Sequence, residues 1–210
     1  LFCIESYRIS TDSMEEAWHK GDYILVNKIP GKNKPVRGKV VLFTSPLSRD
    51  SADAPLFISR CIDMPGDTIR VSMDGYTING HKIPRSPRSL CSYFITLSAK
   101  ETFLETLEKL DIPLRDFRQE SFGCMLSACK EIIMRETDGK ASFRDGKLYL
   151  DGRETNFFFF QQDYYWVLSD NTNEAVDSRH LGFIPADHIV GNAWLCWYSP
   201  DKQRIFKPVP

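Results

Sequence analysis

Residues 9–28 read ISTDSMEEAWHKGDYILVNK. A short polar stretch leads to Gly21-Asp22 and then to Tyr23-Ile24-Leu25-Val26, a β-branched and aromatic run of strand length. The same grammar recurs at Val40-Val41-Leu42-Phe43. Further on, Asp67–Val71 and Tyr76–Ile83 read as strands around turn chemistry. Asn79-Gly80 predicts a tight hairpin, because both central residues of a type I′ turn need positive φ. Lys147-Leu148-Tyr149-Leu150 followed by Asp151-Gly152 repeats that signal, and Tyr164–Leu168 and Ala193–Tyr198 complete the strands. Parallel βαβ alternation is absent, so a doubly wound sheet is not expected. The chain reads as mainly β.

One stretch departs from this. Ser98 with Glu101 forms a capping box, and Phe103, Leu104, Leu107 and Leu110 follow at helical spacing. Ser127 is placed to cap a second helix carrying Cys129, Ile132 and Ile133 and ending near Asp138-Gly139. The expected organisation is a β domain made of residues 1–85 and 146–210, with a mixed α/β insertion at 86–145.

Bulk properties narrow the function. The 210 residues are enough for a sizeable core, and a net charge of −1 gives no electrostatic case for nucleic acid. No run reaches the ~18 apolar residues of a spanning helix. The chain opens Leu1-Phe2-Cys3-Ile4 without Met, which leads to the expectation that an anchor or export signal lies upstream. Six cysteines form no CxxC pair and four histidines are scattered, so neither a metal site nor a cofactor is expected. The cysteines read as buried small hydrophobes, with one or two disulfides as the alternative in an exported domain. Phe157-Phe158-Phe159-Phe160 reads as a strand buried on both sides, with an apolar rim that dips into a bilayer as the other reading.

Chemistry is sparse when the residues are taken alone. Ser13 is one serine among many, and no GxSxG elbow surrounds it. His180, in Asp177-Ser178-Arg179-His180, is a candidate base, against the plainer reading of a histidine at the surface or core edge.

Four stretches change this. Residues 9–28 resemble the first signature of type I signal peptidases, I-P-S-x-S-M-x-P-T-L followed by G-D and a strand ending V-x-K. RGKVVLF at 37–43 resembles the second, and FISRCIDMPGD at 57–67 the third, Y-I-K-R-hydrophobic-x-G-x-P-G-D. LSDNTNEAVDSRHLGFIPADHIVG at 168–191 resembles the last, G-D-N-x-x-x-S-x-D-S-R-x-x-G-hydrophobic-V-P, continuing to a V-G. The four occur in the family's order with compatible spacing; the insertion is not covered.

The resemblance implies a β-barrel or β-ribbon catalytic domain of a membrane-anchored serine endopeptidase on the extracytoplasmic face, in the periplasm or at the cell surface. Such an enzyme removes signal peptides from exported preproteins with a Ser/Lys dyad. A serine hydroxyl needs a base, and a lysine can serve only where burial lowers its pKa towards neutrality. By position, Ser13 matches the nucleophile. Thr11 matches a serine whose hydroxyl helps form the oxyanion hole, alongside the Ser13 main-chain N–H. Tyr7, Ile9, Met14, Trp18, Ile24, Phe57 and Ile58 match the region lining the substrate pockets, with ordinary core packing as the alternative. Asp170, Asp177, Ser178 and Arg179 match residues that support the site, a surface ion pair being the plain alternative for Asp177 and Arg179.

The departures lie at the chemistry. Ser59 occupies the position of the lysine base, and Ala175 that of a serine orienting it. Glu16 replaces the usual proline, Asp63 stands where glycine is common, and Ser169 replaces the glycine before Asp-Asn. A hydroxyl that holds a lysine has no work once the lysine is gone. The expectation is a signal-peptidase-like protein with activity lost or weak, binding signal peptides at a membrane surface. An active signal peptidase paralogue is a further candidate partner. The alternative is an active peptidase with an unusual base, drawn from Lys28, Lys82, Lys130, His180 and His188.

Overall fold

The computed structural model describes residues 3–15, 17–29, 31, 34–48, 54–72, 75–82, 122–144, 147–155, 157–171 and 175–206. The central element is a seven-stranded antiparallel sheet in the order β1-β2-β13-β3-β4-β11-β12. Its strands are β1 (Ile4–Arg8), β2 (Tyr23–Asn27), β3 (Val40–Thr44), β4 (Leu56–Asp63), β11 (Tyr164–Leu168), β12 (Ile184–Pro185) and β13 (Ile189–Tyr198). Register shifts in the β13–β2, β13–β3 and β4–β11 pairings bend the strands, and the sheet curls into a half-barrel. The mainly β reading of the sequence holds.

β3 explains why the sheet has two cores. Four of its five residues, Val40–Phe43, are buried. Val40 and Leu42 join Ile9, Met14, Trp18, Ile24, Val26, Ala193 and Cys196 on one face. Val41 and Phe43 join Cys61, Tyr165, Val167, Leu181 and Ile184 on the other. A strand covered on both sides reads as a continuous apolar run instead of an alternating one. β13 starts earlier than Ala193 because Ile189–Asn192 pair with β3 before the strand passes on to β2. That crossing is tight at Gly191, where a Cβ would run into the Asn27 carbonyl.

Two small sheets flank this one: β5 (Ile69–Ser72), β6 (Gly75–Ile78) and β7 (His81–Lys82), and β8 (Ala141–Arg144), β9 (Lys147–Leu150) and β10 (Arg153–Thr155). The expected hairpin turns are present. Asn79 and Gly80 have φ of 50° and 80°, and Asp151 and Gly152 have φ of 48° and 78°. The β8–β9 hairpin joins the last strand of the expected insertion to the first strand after it.

Two expectations are corrected. Helix α1 spans Phe122–Glu136, so Ser127 lies in its middle and does not cap it. The expected C-terminus holds, with Asp138 and Gly139 at positive φ and the Gly139 N–H donating to Met134 O. Cys129, Ile132 and Ile133 are buried, as helical spacing requires. The capping box at Ser98–Glu101 and its helix lie outside the described residues. The Phe157–Phe160 run is not a strand. Among the described residues no strand pairs with it, and the N–H groups of Gln161 and Gln162 donate to Glu136 Oε1. Phe157 and Phe159 are 61% and 80% exposed, while Phe160 turns inward onto Tyr164 and Phe183.

Asp63, at the end of β4, is 4% exposed, and its Oδ1 has no hydrogen-bond partner among the described residues. Burial, together with its neighbour Asp67, pushes its carboxyl up to about 7. Burial would raise Asp67 as well. Hydrogen bonds from Asp63, the Met64 N–H, Asn79 and Arg37 instead hold it well below the usual carboxylate range. In the native state Asp63 keeps a proton that the unfolded chain releases near pH 4. Native stability should therefore decline as pH rises from about 4 and level off above about 7. Urea unfolding should show a loss on the order of 2 kcal/mol between pH 5 and pH 7. Asp63→Asn, which carries no such proton, should flatten the curve; an unchanged slope would exclude Asp63 as its source.

Candidate active site

Ser13 enters the structure through a turn whose position is set by burial. β1 runs into Ile9, whose N–H donates to Asp22 O, and the Gly21 N–H returns to Ile9 O. Met14 and Trp18 are fully buried and pin the turn between them from below. Asp22 is fully buried too. Burial alone would raise its carboxyl, but hydrogen bonds from the His19 N–H, Ser199 and Arg204 hold it below its ordinary value. The Gly21-Asp22 pair thus ties the turn to the C-terminal segment that carries Arg204.

At the top of this turn, Ser13 Oγ lies 3.0 Å from Thr11 Oγ1. Ser13 is 7% exposed and Thr11 is open to solvent. Ser59 lies on β4, paired with Val41 of β3. Strand alternation puts it on the face of Phe57 and Cys61, which belong to the second apolar cluster. It is fully buried, and its Oγ donates to Ile58 O at 2.8 Å and lies 2.9 Å from Ser169 Oγ.

The two serines are joined by the loop after β11. Ser169 meets Ser59 through its hydroxyl. Asp170 receives a two-pronged ion pair from Arg60, Nε to Oδ1 at 2.9 Å and a terminal nitrogen to Oδ2 at 2.6 Å. The Asn171 N–H donates to Ser13 O at 2.9 Å. Three consecutive residues therefore hold Ser59, its neighbour Arg60 and Ser13 on one short span.

Asp177 anchors that loop from behind. It is fully buried and caps helix α2 (Ser178–Leu181). Its carboxylate accepts from the Ser169 N–H at 2.9 Å, the Arg179 N–H at 3.0 Å, Arg179 Nε at 2.9 Å and an Arg179 terminal nitrogen at 3.0 Å. The pair is not an exposed one: Asp177 is fully buried and the Arg179 side chain is 14% exposed. Ser178 Oγ accepts from the Val167 N–H, which fixes the end of β11.

Among the pocket candidates, Ile9, Met14, Trp18 and Ile24 are interior and pack in the first cluster. Tyr7 and Ile58 are half-buried against the same cluster, and Phe57 against the second, stacked on Phe43. Sequence reasoning left Arg60, Ser169 and Asn171 without a role in the architecture. The signal was present in the Ser-Asp-Asn run, where side chains and main-chain N–H groups that alternate in direction can reach different neighbours.

Among the described residues none of the candidate bases bonds to Ser13 Oγ. Lys28 donates to Glu5 Oε2 at 3.0 Å, and this bond pushes its ammonium above the ordinary value. Lys82 is exposed on β7. The Lys130 ammonium sits over the Phe143 ring. His188 Nδ1 is within hydrogen-bond distance of the Thr44 hydroxyl, and His180 Nδ1 lies 4.0 Å from Asp177. Burial pushes the Cys61 and Cys129 thiols up to about 12, so they are unreactive packing groups. Among the described residues the hydrogen bond of Ser13 Oγ is to Thr11, an alcohol that cannot take its proton at neutral pH. This arrangement can hold a carbonyl oxygen with hydroxyl donors better than it can ionise a serine.

Fold and site together define a β-rich domain built around a serine on a turn. The sequence profile described as signal peptidase, peptidase S26, matches residues 1–198, and the chain belongs to that family. The signal peptidase I of Aquifex aeolicus is 28% identical over 207 residues, which cover 94% of this chain and 77% of that protein. Those of Buchnera aphidicola and Pseudomonas fluorescens are each 26% identical, covering 97% of this chain and 70% and 68% of theirs.

The Asp177 clamp yields a test of the loop. Asp177→Ala removes the buried carboxylate that accepts from the Arg179 guanidinium and the Ser169 N–H. Removing one partner of a buried pair costs about 3–5 kcal/mol. Denaturant unfolding should show a loss of that size; a loss below about 1 kcal/mol would mean that the loop is held without it.

Proposed function

We propose that this protein is a signal-peptidase-like membrane-surface protein. It binds signal peptides of exported preproteins and cleaves them weakly or not at all. The observation that carries this reading is the hydroxyl of Ser59, at the position of the family's lysine base, bonded into the interior between Ser169 and Ile58 O. Loss of a general base typically costs about 10²–10⁴ in rate, and more where base and nucleophile act as one unit.

Binding needs less than catalysis does. β1 is an edge strand of the main sheet and leads directly to Ser13. An extended peptide adding to that edge satisfies its main chain by β-augmentation and carries its scissile carbonyl towards the Thr11 and Ser13 hydroxyls. Half-buried Tyr7 and Ile58 are placed for its small side chains, with the interior residues Ile9, Met14, Trp18 and Ile24 as their support. Exposed Phe157, Phe159 and Trp194 supply apolar surface for a bilayer interface, in keeping with the extracytoplasmic membrane location that the family implies. An active signal peptidase paralogue is the partner such a binder would assist. Residues 86–145 form the inserted subdomain in this reading.

The decisive assay incubates the purified protein with a preprotein ending in Ala-x-Ala, in detergent, from pH 6 to pH 10. The expected result is signal-peptide binding, read by fluorescence anisotropy, that survives Ser13→Ala, with no cleavage above background. Cleavage abolished by Ser13→Ala would establish the other reading, an active peptidase with an unusual base. The surface claim is tested separately with anionic and neutral vesicles. Phe157→Ser with Phe159→Ser should weaken co-sedimentation several-fold, since these two rings face solvent; undiminished binding would remove the run from the membrane contact.

A further inference from the structure

We infer that Ser169 has closed the space that a lysine side chain at position 59 would need, so that the lost base and the residue beside it are one coupled replacement. This rests on the reading of Ser59 as the base position. The geometry gives the hydroxyls a direction: Ser59 Oγ donates to Ile58 O, so Ser169 donates to Ser59 Oγ at 2.9 Å. Both serines are buried, and each hydroxyl uses the other to satisfy itself.

Ser169 cannot back away from a longer neighbour. Its own N–H is held by Asp177 Oδ2. The next residue, Asp170, is gripped by the Arg60 guanidinium, which also donates to Gly38 O. The residue after that holds Ser13 O through its N–H. A side chain longer than serine at position 59 therefore meets the Ser169 hydroxymethyl across a pinned loop. The family's glycine at position 169 leaves that volume open. Ala175 is buried as well and adds no hydroxyl to hold an amine. A lysine restored alone is crowded, and its amine lacks a partner. Restored with glycine at position 169, it recovers its room.

The experiment is a double-mutant cycle on the purified protein, comparing Ser59→Lys, Ser169→Gly and the pair, read by melting temperature. Ser59→Lys in the natural background should lower Tm by about 5–10 °C through overpacking. The same substitution on Ser169→Gly should lower it by less than half as much. Equal losses in the two backgrounds would overturn the proposal. If the lysine variants do not fold, Ser59→Met carries the same cycle without a charge, with the same two outcomes.

A second readout separates room for the amine from mere stability. The Ser59→Lys, Ser169→Gly, Ala175→Ser protein should cleave an Ala-x-Ala preprotein at least about tenfold faster than Ser59→Lys alone. That rate should depend on Ser13 and rise with pH as the introduced amine loses its proton. Equal cleavage by the single and triple variants would also overturn the coupling. Cleavage by the unsubstituted protein would sink the base-loss reading instead, and the melting cycle would still report on Ser169.

Discussion

The buried carboxylate of Asp177 is the constraint on which the rest of the site depends. It takes the Ser169 N–H and a two-pronged contact from Arg179 in the same place, and so fixes where the loop after β11 begins. From there, consecutive residues reach three different neighbours: Ser169 reaches Ser59, Asp170 reaches Arg60, and Asn171 reaches Ser13. An uncompensated charge at that depth is costly, so the clamp is effectively all or none. Its stability sets the precision with which two distant serines face the same loop.

That scaffold does not depend on catalysis. Arg60, Asp170, Asp177 and Arg179 form two ion pairs, each with a buried carboxylate and a partly exposed guanidinium, that are made with a serine at position 59. The fold can therefore keep its architecture while the chemistry changes. In the function proposed for this protein, the replacements are concentrated where a lysine would lie: Ser59 in its place, Ser169 bonded to it, and Ala175 where an orienting hydroxyl would be. Positions that hold the turn, such as Asp22, Met14 and Trp18, remain buried and bonded. Ser13 survives among them as a side chain with a hydroxyl partner, Thr11.

Asp63 is a second buried acid that the fold accommodates. It keeps its proton beside Asp67, whose carboxyl is held well below the usual range, and Arg37 closes the group. The loop between β4 and β5 thereby joins the main sheet to the small β5–β7 sheet through charged groups, and its cohesion depends on pH.

Much of the strand architecture was legible in the residues. Tyr23–Val26, Val40–Phe43 and the Asn79-Gly80 and Asp151-Gly152 turns are local: a β-branched run or a turn needing positive φ carries its cause within a few residues. The end of helix α1 is legible in Asp138-Gly139 and its start is not, because a serine that can cap is also tolerated in a helix interior. The phenylalanine run was misread for the opposite reason. Alternating faces demand a pairing strand, and whether one exists is decided by distant chain. By itself the sequence determined strands such as Tyr23–Val26 and Val40–Phe43, the two hairpin turns, the order of the four motifs and the serine at position 59. Only tertiary structure decided that Ser169 meets Ser59 and that Asn171 holds Ser13. Those contacts join residues more than a hundred positions apart, and a hydrogen bond between them exists only once the sheet has curled and Asp177 has fixed the loop.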